Sequence, residues 1–193
     1  NPLLTKSEYM YYIKDLDIAV LVVQKGQCAA AIKAAKVLQI KIIYLDPTDV
    51  SGIFYLTYDG KGLTEAESRR NNIDDICLVL HTSGTTSQPK IVQLDVKNVV
   101  TSAQNIKASL KLSKKDRCLS IMPLFHIHGL IACTLAPLYS GGTIICSGGF
   151  DALKFFNLVN QFEPSWYSAV PTMHQLILER ADRQGGLVNN TKF

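Results

Sequence analysis

Residues 76–90 are Ile-Cys-Leu-Val-Leu-His-Thr-Ser-Gly-Thr-Thr-Ser-Gln-Pro-Lys, an apolar run followed by a small, hydroxyl-rich loop that ends on a lysine. Gly84 allows backbone dihedral angles that a side chain would forbid, so the loop can present its N–H groups to a ligand. Its serine and threonine hydroxyls add hydrogen-bond donors, and Lys90 adds a full positive charge. Such a set of donors favours a polyanion, so the stretch predicts a phosphate-binding loop.

This loop does not fit the Walker-type phosphate loop, which has Gly, four residues and then Gly-Lys-Ser/Thr. Counting from Gly84, the last three positions are Pro89, Lys90 and Ile91, so two of the four fixed positions differ. A hydrolase of that class is therefore disfavoured. A Ser/Thr-rich turn between two strands, with no ligand, is the alternative interpretation of the same residues.

The loop instead resembles that of the adenylate-forming enzymes, the superfamily of acyl-CoA synthetases, luciferases and peptide-synthetase adenylation domains. Their approximate pattern, Thr-Ser-Gly-Thr-Thr-Gly-x-Pro-Lys-Gly, is met at seven of nine fixed positions, with Ser87 and Ile91 as the departures. Residues 123–130, Pro-Leu-Phe-His-Ile-His-Gly-Leu, and 166–175, Trp-Tyr-Ser-Ala-Val-Pro-Thr-Met-His-Gln, follow in the family's order. Together with Ser87, these two stretches are similar to the oxalate-CoA ligase branch.

The resemblance implies a ligase that works in two steps. A carboxylate attacks the α-phosphorus of ATP to give an acyl-adenylate and pyrophosphate, and a thiol, coenzyme A, then displaces AMP. The resemblance implies ATP, Mg²⁺ and coenzyme A as cofactors, and phosphate donors that lower the electrostatic barrier. The ATP phosphate-binding residues that it predicts are Thr82, Ser83, Gly84, Thr85, Thr86, Ser87 and Lys90, with Lys90 as the catalytic residue.

A carboxylate pocket is the second site that the resemblance implies. His126 follows the apolar run 118–122, at the end of a predicted strand, where parallel sheets bind ligands. An imidazole there can hydrogen-bond a carboxylate or offset its charge, which favours a small acid, and a dicarboxylate such as oxalate in particular. The predicted pocket residues are His126, His128, Val170, Pro171 and Thr172. Two alternatives stay open: His128 as a cap of the next helix, and Thr172 as the cap of a plain strand-to-helix junction.

Apolar runs that alternate with helical periodicities predict an α/β fold with a largely parallel sheet and crossover helices. By the resemblance, this is part of the large N-terminal domain of an adenylate-forming enzyme. We predict a strand-helix-strand subregion with a connector at 1–72, a phosphate-loop and acyl-pocket subregion at 73–182, and a frayed tail at 183–193. The predicted strands are 18–23, 41–45, 54–58, 76–81, 90–94, 118–122, 143–146 and 166–169, and the predicted helices are 28–38, 95–110, 129–138, 152–162 and 172–181.

Composition narrows the classes of partner. Hydrophobic residues make up 47% of the 193 and charged residues 19%, an ordinary globular balance, and the net charge is only +4. The basic residues form no stripe with interleaved aromatics, so no nucleic-acid partner is expected. The longest apolar stretch, 130–139, is too short for a transmembrane helix. Five dispersed cysteines favour reduced thiols over disulfides or a metal site, and hence a cytoplasmic location, with a peroxisomal one left open.

The chain begins Asn1-Pro2 without an initiator methionine, so we expect a piece of a longer parent. The family's metal-binding glutamate, ribose-binding aspartate and C-terminal lysine segments do not follow residue 175, and residues 62–65 imitate the first of them at the wrong place in the order. The piece alone is therefore expected to be inactive. A non-catalytic nucleotide-binding or interaction module is the alternative function, and the oligomeric state is not predicted.

Overall fold

The computed structural model describes most of the chain in two compact units. The described residues are 1–50, 52–62, 70–82 and 89–183. The first unit is Asn1–Arg70 and the second is Asn71–Phe193.

In the first unit, two helices pack on a four-stranded sheet. Its elements are α1 Lys6–Asp15, β1 Val20–Gln24, α2 Ala29–Val37, β2 Lys41–Pro47, β3 Phe54–Tyr58 and β4 Lys61–Gly62. The strand order is β1-β2-β3-β4, with β1 parallel to β2 and the other pairs antiparallel. Ile13 of α1 and the small residues Ala34 and Ala35 of α2 form its buried core. The predicted strand-helix-strand order is present here as β1-α2-β2.

Local sequence signals explain two features of this unit that the prediction did not contain. Helix α1 begins with a capping box, in which the Thr5 side chain accepts from the Glu8 N–H and the Glu8 carboxylate accepts from the Thr5 N–H at 2.7 Å. A two-residue turn, Asp59–Gly60, joins β3 to β4, and its φ angles of 51° and 74° lie in the left-handed region. Asp-Gly is a preferred pair for that hairpin turn because glycine adopts positive φ without strain.

The second unit contains two separate sheets and the remaining helices. Its elements are β5 Ile76–Thr82, β6 Lys90–Asp95, α3 Val96–Leu110, β7 Arg117–Ser120, a π-helix His128–Leu135, α4 Ala136–Tyr139, β8 Thr143–Cys146, α5 Phe155–Phe162, β9 Trp166–Tyr167 and α6 Pro171–Arg183. One sheet has the order β8-β7-β9 with all strands parallel, and the other is the antiparallel pair β5-β6. The fold is α/β, as predicted.

The pairing of β5 with β6 differs from the largely parallel arrangement expected. Only the seven residues 83–89 lie between the two strands. A parallel pair needs a crossover of a dozen or more residues, so a connection this short permits only antiparallel pairing. Parallel pairing is found for β1-β2 and within β8-β7-β9.

The core of the second unit lies on both faces of β7. Leu119 and Ile121 face one side, where they pack against Phe155 of α5 and Ile177 of α6. Cys118 faces the other side and belongs to a buried cluster with residues of the π-helix. This alternation follows from the period of two along a strand, and it holds the π-helix against the sheet.

The predicted helix 129–138 is a π-helix followed by a short α-helix. Pro137, the second residue of α4, has no N–H to donate to the carbonyl one turn earlier, so a regular α-helix through this point would lose a hydrogen bond. Thr134 Oγ1 donates to the carbonyl of Gly129 at 2.9 Å and satisfies one acceptor of the widened turns. The other predicted elements of this unit are present, with their ends shifted by a few residues.

Candidate functional site

The two predicted walls of the carboxylate pocket begin at one edge of the parallel sheet. Strands β7 and β9 are neighbours in register, with Cys118 opposite Trp166 and Leu119 opposite Tyr167. Their carboxyl ends therefore lie side by side, which is where ligands bind to parallel sheets. The segments 121–128 and 168–172 leave the sheet from these ends and bring the two motifs together.

His128 is the residue that connects the two segments. Its Nε2 lies 2.7 Å from the hydroxyl oxygen of Ser168, forty residues away in sequence, and both side chains are half-buried. It is the first residue of the π-helix, and no side chain caps that helix. The alternative that His128 acts as a helix cap is therefore wrong, and its ring is used across the sheet edge instead.

Close packing at Gly129 fixes where His128 lies. A Cβ atom at this buried glycine would lie 2.3 Å from the carbonyl oxygen of Pro123 and 2.9 Å from its carbonyl carbon. No side chain fits in that space, so the start of the π-helix can rest directly on the loop that follows β7. The backbone that bears the His128 side chain is therefore held by the contact of Gly129 with Pro123.

His126 is placed differently from His128. Its side chain is exposed, and its ring centroid lies 4.6 Å from that of Phe125. The backbone N–H of His126 donates to the Pro123 carbonyl at 3.2 Å, which closes a turn. Within the described part of the chain its ring has no hydrogen-bond partner, so its nitrogens are open to solvent or a ligand.

The second wall combines an apolar residue with the start of a helix. Val170 is half-buried and packs against the cluster of Cys118, Met122 and Cys133. Helix α6 begins at Pro171, where a missing N–H costs nothing, so Thr172 lies inside the first turn and is not the cap. Both Pro171 and Thr172 are exposed.

Three residues of this region were not among the predicted site residues. Ser168 is the partner of His128, and the Tyr167 hydroxyl lies 3.1 Å from His174 Nδ1. Burial raises the pKa of Tyr167, which keeps its hydroxyl protonated. Ser168 directly follows β9, so the rule that ligands bind at carboxyl ends of strands could have found it.

The structure describes the phosphate loop at its two ends. Thr82 and Lys90 are the last pair of the β5-β6 ladder, both are exposed, and the Thr82 hydroxyl donates to the Lys90 carbonyl at 3.5 Å. The predicted phosphate-binding residues Ser83, Gly84, Thr85, Thr86 and Ser87 lie outside the described residues. Among the residues that are described, no carboxylate forms an ion pair with Lys90.

A cavity of about 580 Å³ lies beside the histidine segment. Lys97, Asn98 and Asn105 of α3 contribute polar groups to its lining, and Ile127 and Ile131 contribute apolar ones. Ile127 lies between the two histidines in sequence, but neither histidine lines this cavity. The volume is that of an ordinary small-molecule site.

The described residues contain neither a cluster of metal ligands nor a membrane-spanning helix. They hold no group of three or more His, Cys, Asp or Glu side chains that could bind a metal ion. For the Mg²⁺ that the resemblance implies, this part of the chain therefore offers no such cluster of protein ligands. In the described helices, none is long and apolar enough to cross a membrane.

The sequence has a hydroxyl-rich loop before a lysine, and the α/β fold brings two motif segments to one edge of a parallel sheet. This combination is typical of enzymes that use a nucleotide. The family model for AMP-binding enzymes matches residues 1–191. The chain belongs to the AMP-binding enzyme family.

Within this family, the chain is similar to two oxalate–CoA ligases. The chain is 38% identical over 184 residues to oxalate–CoA ligase from Arabidopsis thaliana, covering 93% of this chain and 36% of that protein. It is 32% identical over 201 residues to oxalate–CoA ligase from Saccharomyces cerevisiae, covering 92% of this chain and 37% of that protein. These matches confirm the resemblance inferred from the three motifs.

Solved structures show the same fold. ATP-bound MatB from Rhodopseudomonas palustris matches with a TM-score of 0.74 at 23% identity, over 93% of this chain and 35% of that one. At this identity the likeness establishes the fold and nothing finer. The chain thus spans about a third of the length of the relatives that it matches.

Proposed function

We propose that this chain is the part of an acid–CoA ligase that holds the phosphates of ATP and the carboxylic acid. The whole enzyme would activate the acid as an acyl-adenylate and transfer it to coenzyme A. The observation that carries the proposal is the meeting of His128 and Ser168 at the carboxyl ends of β7 and β9, in a chain 38% identical to an oxalate–CoA ligase.

At the phosphate end, the proposal gives Lys90 an electrostatic role. An exposed ammonium group at the base of a hydroxyl-rich loop can offset the negative charge that gathers on the departing pyrophosphate. Thr82, beside it, has a hydroxyl that could donate to a phosphate in place of its long contact with the Lys90 carbonyl. Removing one such fixed donor costs on the order of 3 kcal/mol of transition-state stabilisation, or roughly a hundredfold in rate.

At the carboxylate end, the proposal gives the two histidines a role in substrate choice. One carboxylate of a short dicarboxylate reacts at phosphorus, and the other can accept a hydrogen bond from an imidazole. A half-buried imidazole such as His128 loses this bond with an apolar acid, and an unsatisfied polar group costs about 1 to 3 kcal/mol. We therefore propose a small dicarboxylate as the preferred acid. Val170, Pro171 and Thr172 would form the opposite wall.

The test uses the full-length protein that contains these residues. Acid-dependent pyrophosphate release is measured with oxalate, malonate, acetate and a long-chain fatty acid, and thioester formation is measured separately from preformed adenylate. Lys90→Ala should lower the first rate about a hundredfold and leave the second nearly unchanged. Lys115→Ala is the matched control, because Lys115 is an exposed lysine at a turn distant in sequence from the loop.

The outcomes separate the parts of the proposal. If Lys90→Ala slowed both half-reactions equally, its placement on the leaving phosphates would be wrong. If the enzyme used long-chain acids best, the dicarboxylate proposal would fail while the family assignment stood. Absence of acid-dependent pyrophosphate release with every acid would favour a non-catalytic module.

A further inference from the structure

Ser168 is bound to a residue of the proposed site although no motif argument assigned it a role. Its hydroxyl oxygen lies 2.7 Å from His128 Nε2, a short distance for a hydrogen bond between these atoms. In the described ranges no other side chain hydrogen-bonds the His128 ring. Among the described residues Ser168 is thus the side-chain anchor of this imidazole, and no side chain there occupies Nδ1.

Both partners stand on backbone that cannot easily shift. Ser168 directly follows β9, which is held in register against β7. His128 precedes Gly129, whose backbone lies against Pro123 so closely that a methyl group has no room. A hydrogen bond between two fixed segments restrains the orientation of the His128 ring. The exposed ring of His126 has no such restraint among the described residues.

A serine hydroxyl can hydrogen-bond either tautomer of the His128 imidazole. A serine hydroxyl can donate or accept, so it can pair with Nε2 whether that nitrogen carries a proton or not. A carboxylate or a backbone carbonyl could only accept, and would hold the ring with Nε2 protonated.

We propose that Ser168 is a positioning residue that orients the His128 imidazole toward the acid substrate. The inference deepens the proposed function and rests on it for the identity of the ligand. The anchoring itself is a property of these two side chains.

A double-mutant cycle in the full-length enzyme tests the inference. The variants are Ser168→Ala, His128→Ala, the double variant and Ser168→Thr, with Michaelis constants measured for oxalate and for ATP. Ser168→Ala should raise the constant for oxalate roughly fivefold to tenfold, the loss expected for one hydrogen bond, and leave that for ATP unchanged. Ser168→Thr retains the hydroxyl and should restore it. In the His128→Ala background, loss of Ser168 should add nothing.

Ser165→Ala is the matched control. Ser165 lies at the other end of β9, and its hydroxyl donates to Asp116 at 3.0 Å and accepts from the Arg117 N–H at 2.9 Å. Its loss perturbs the same strand without touching the histidine, so oxalate binding should not change. Equal effects of Ser165→Ala and Ser168→Ala would overturn the inference in favour of a general structural effect.

A spectroscopic readout separates the anchoring from the choice of substrate. Nitrogen-15 chemical shifts of the labelled histidine rings report the tautomer and the hydrogen bonding of each ring. The His128 signals are identified as those that disappear in His128→Ala. Ser168→Ala should shift the Nε2 signal of His128, because that nitrogen loses its hydrogen-bond partner, and an unchanged signal would overturn the inference whatever the kinetics. If those signals change but His128→Ala leaves oxalate binding intact, the anchoring holds and the proposed substrate site fails.

Discussion

Gly129→Ala should destabilise the second unit, because the added methyl group has no space. Its Cβ would lie 2.3 Å from the Pro123 oxygen, 2.9 Å from the Pro123 carbonyl carbon and 3.0 Å from the Met122 oxygen. All three are backbone atoms and cannot rotate away. Forcing extra volume into a packed site lowers the free energy of unfolding by about 1 to 3 kcal/mol. Because the contacts are short and involve backbone atoms, we expect a loss of about 3 kcal/mol from this effect. Alanine is more favourable than glycine in a helix by up to about 1 kcal/mol, so the net loss in the free energy of unfolding is about 2 kcal/mol.

The assay is thermal unfolding followed by tryptophan fluorescence. Trp166 is the single tryptophan of the chain, lies in the second unit and packs against the cluster that includes Cys133 of the π-helix. For a protein of this size, a loss of 2 kcal/mol lowers the unfolding midpoint by about 4 to 8 °C. Gly148→Ala is the control, because its Cβ would meet nothing within 4 Å and its φ lies outside the left-handed region. An unchanged midpoint for Gly129→Ala would refute the close approach of the π-helix to the loop.

Four further outcomes are expected. His126→Ala in the full-length enzyme should raise the Michaelis constant for a dicarboxylate more than that for ATP, because its exposed ring would face the acid; equal changes would count against that role. The isolated 193 residues should release no pyrophosphate that depends on added acid, since positioning all reacting groups contributes about 7 to 11 kcal/mol and most of them are absent. Hydrogen bonds from the backbone N–H and hydroxyl of Ser113, and then from the Ser165 hydroxyl, hold the pKa of Asp116 below its ordinary value. The stability that Asp116 contributes is therefore present above the ordinary aspartate pKa and lost as the pH falls through the lowered one; Asp116→Asn should flatten this acid limb in the Trp166 fluorescence assay. Iodoacetamide should label the exposed thiols of the folded chain at once and the fully buried pair only on unfolding, as read by mass spectrometry. The exposed thiols are Cys77 and Cys146, and the buried pair is Cys118 and Cys133. A hydrogen bond with Cys133, and then burial, raise the pKa of Cys118, which further disfavours the reactive thiolate.

Local signals in the sequence allowed much of the fold to be predicted. The predicted helix 95–110 starts at Asp95, and in the structure Asp95 caps α3 through a capping box with Asn98. Equally local signals were present but unused: Thr5 and Glu8 at the start of α1, and the pair Asp59–Gly60 between β3 and β4. These features depend only on residues a few positions apart, so the printed sequence contains all that is needed to predict them.

The details of the site could not be predicted in the same way. The bond between His128 and Ser168 depends on the register of β7 against β9 and on the π-helical start of the segment that follows. Forty residues separate the partners, and no periodicity in either segment specifies which side chains meet. A shift of one residue in that register would reverse the faces of β9 and move Ser168 away.

The π-helix between His128 and Leu135 also bears on how such sites change in evolution. Its hydrogen bonds span one residue more than those of an α-helix, which is what a single inserted residue produces. Deleting one residue within 130–134 would allow regular α-helical winding and turn His128 by about 100° relative to the helix body. The hydrogen bond between His128 and Ser168 would be lost although neither residue had been substituted. Chain length in this short segment therefore decides whether His128 and Ser168 meet, and an alignment that compares only residue identities would miss it.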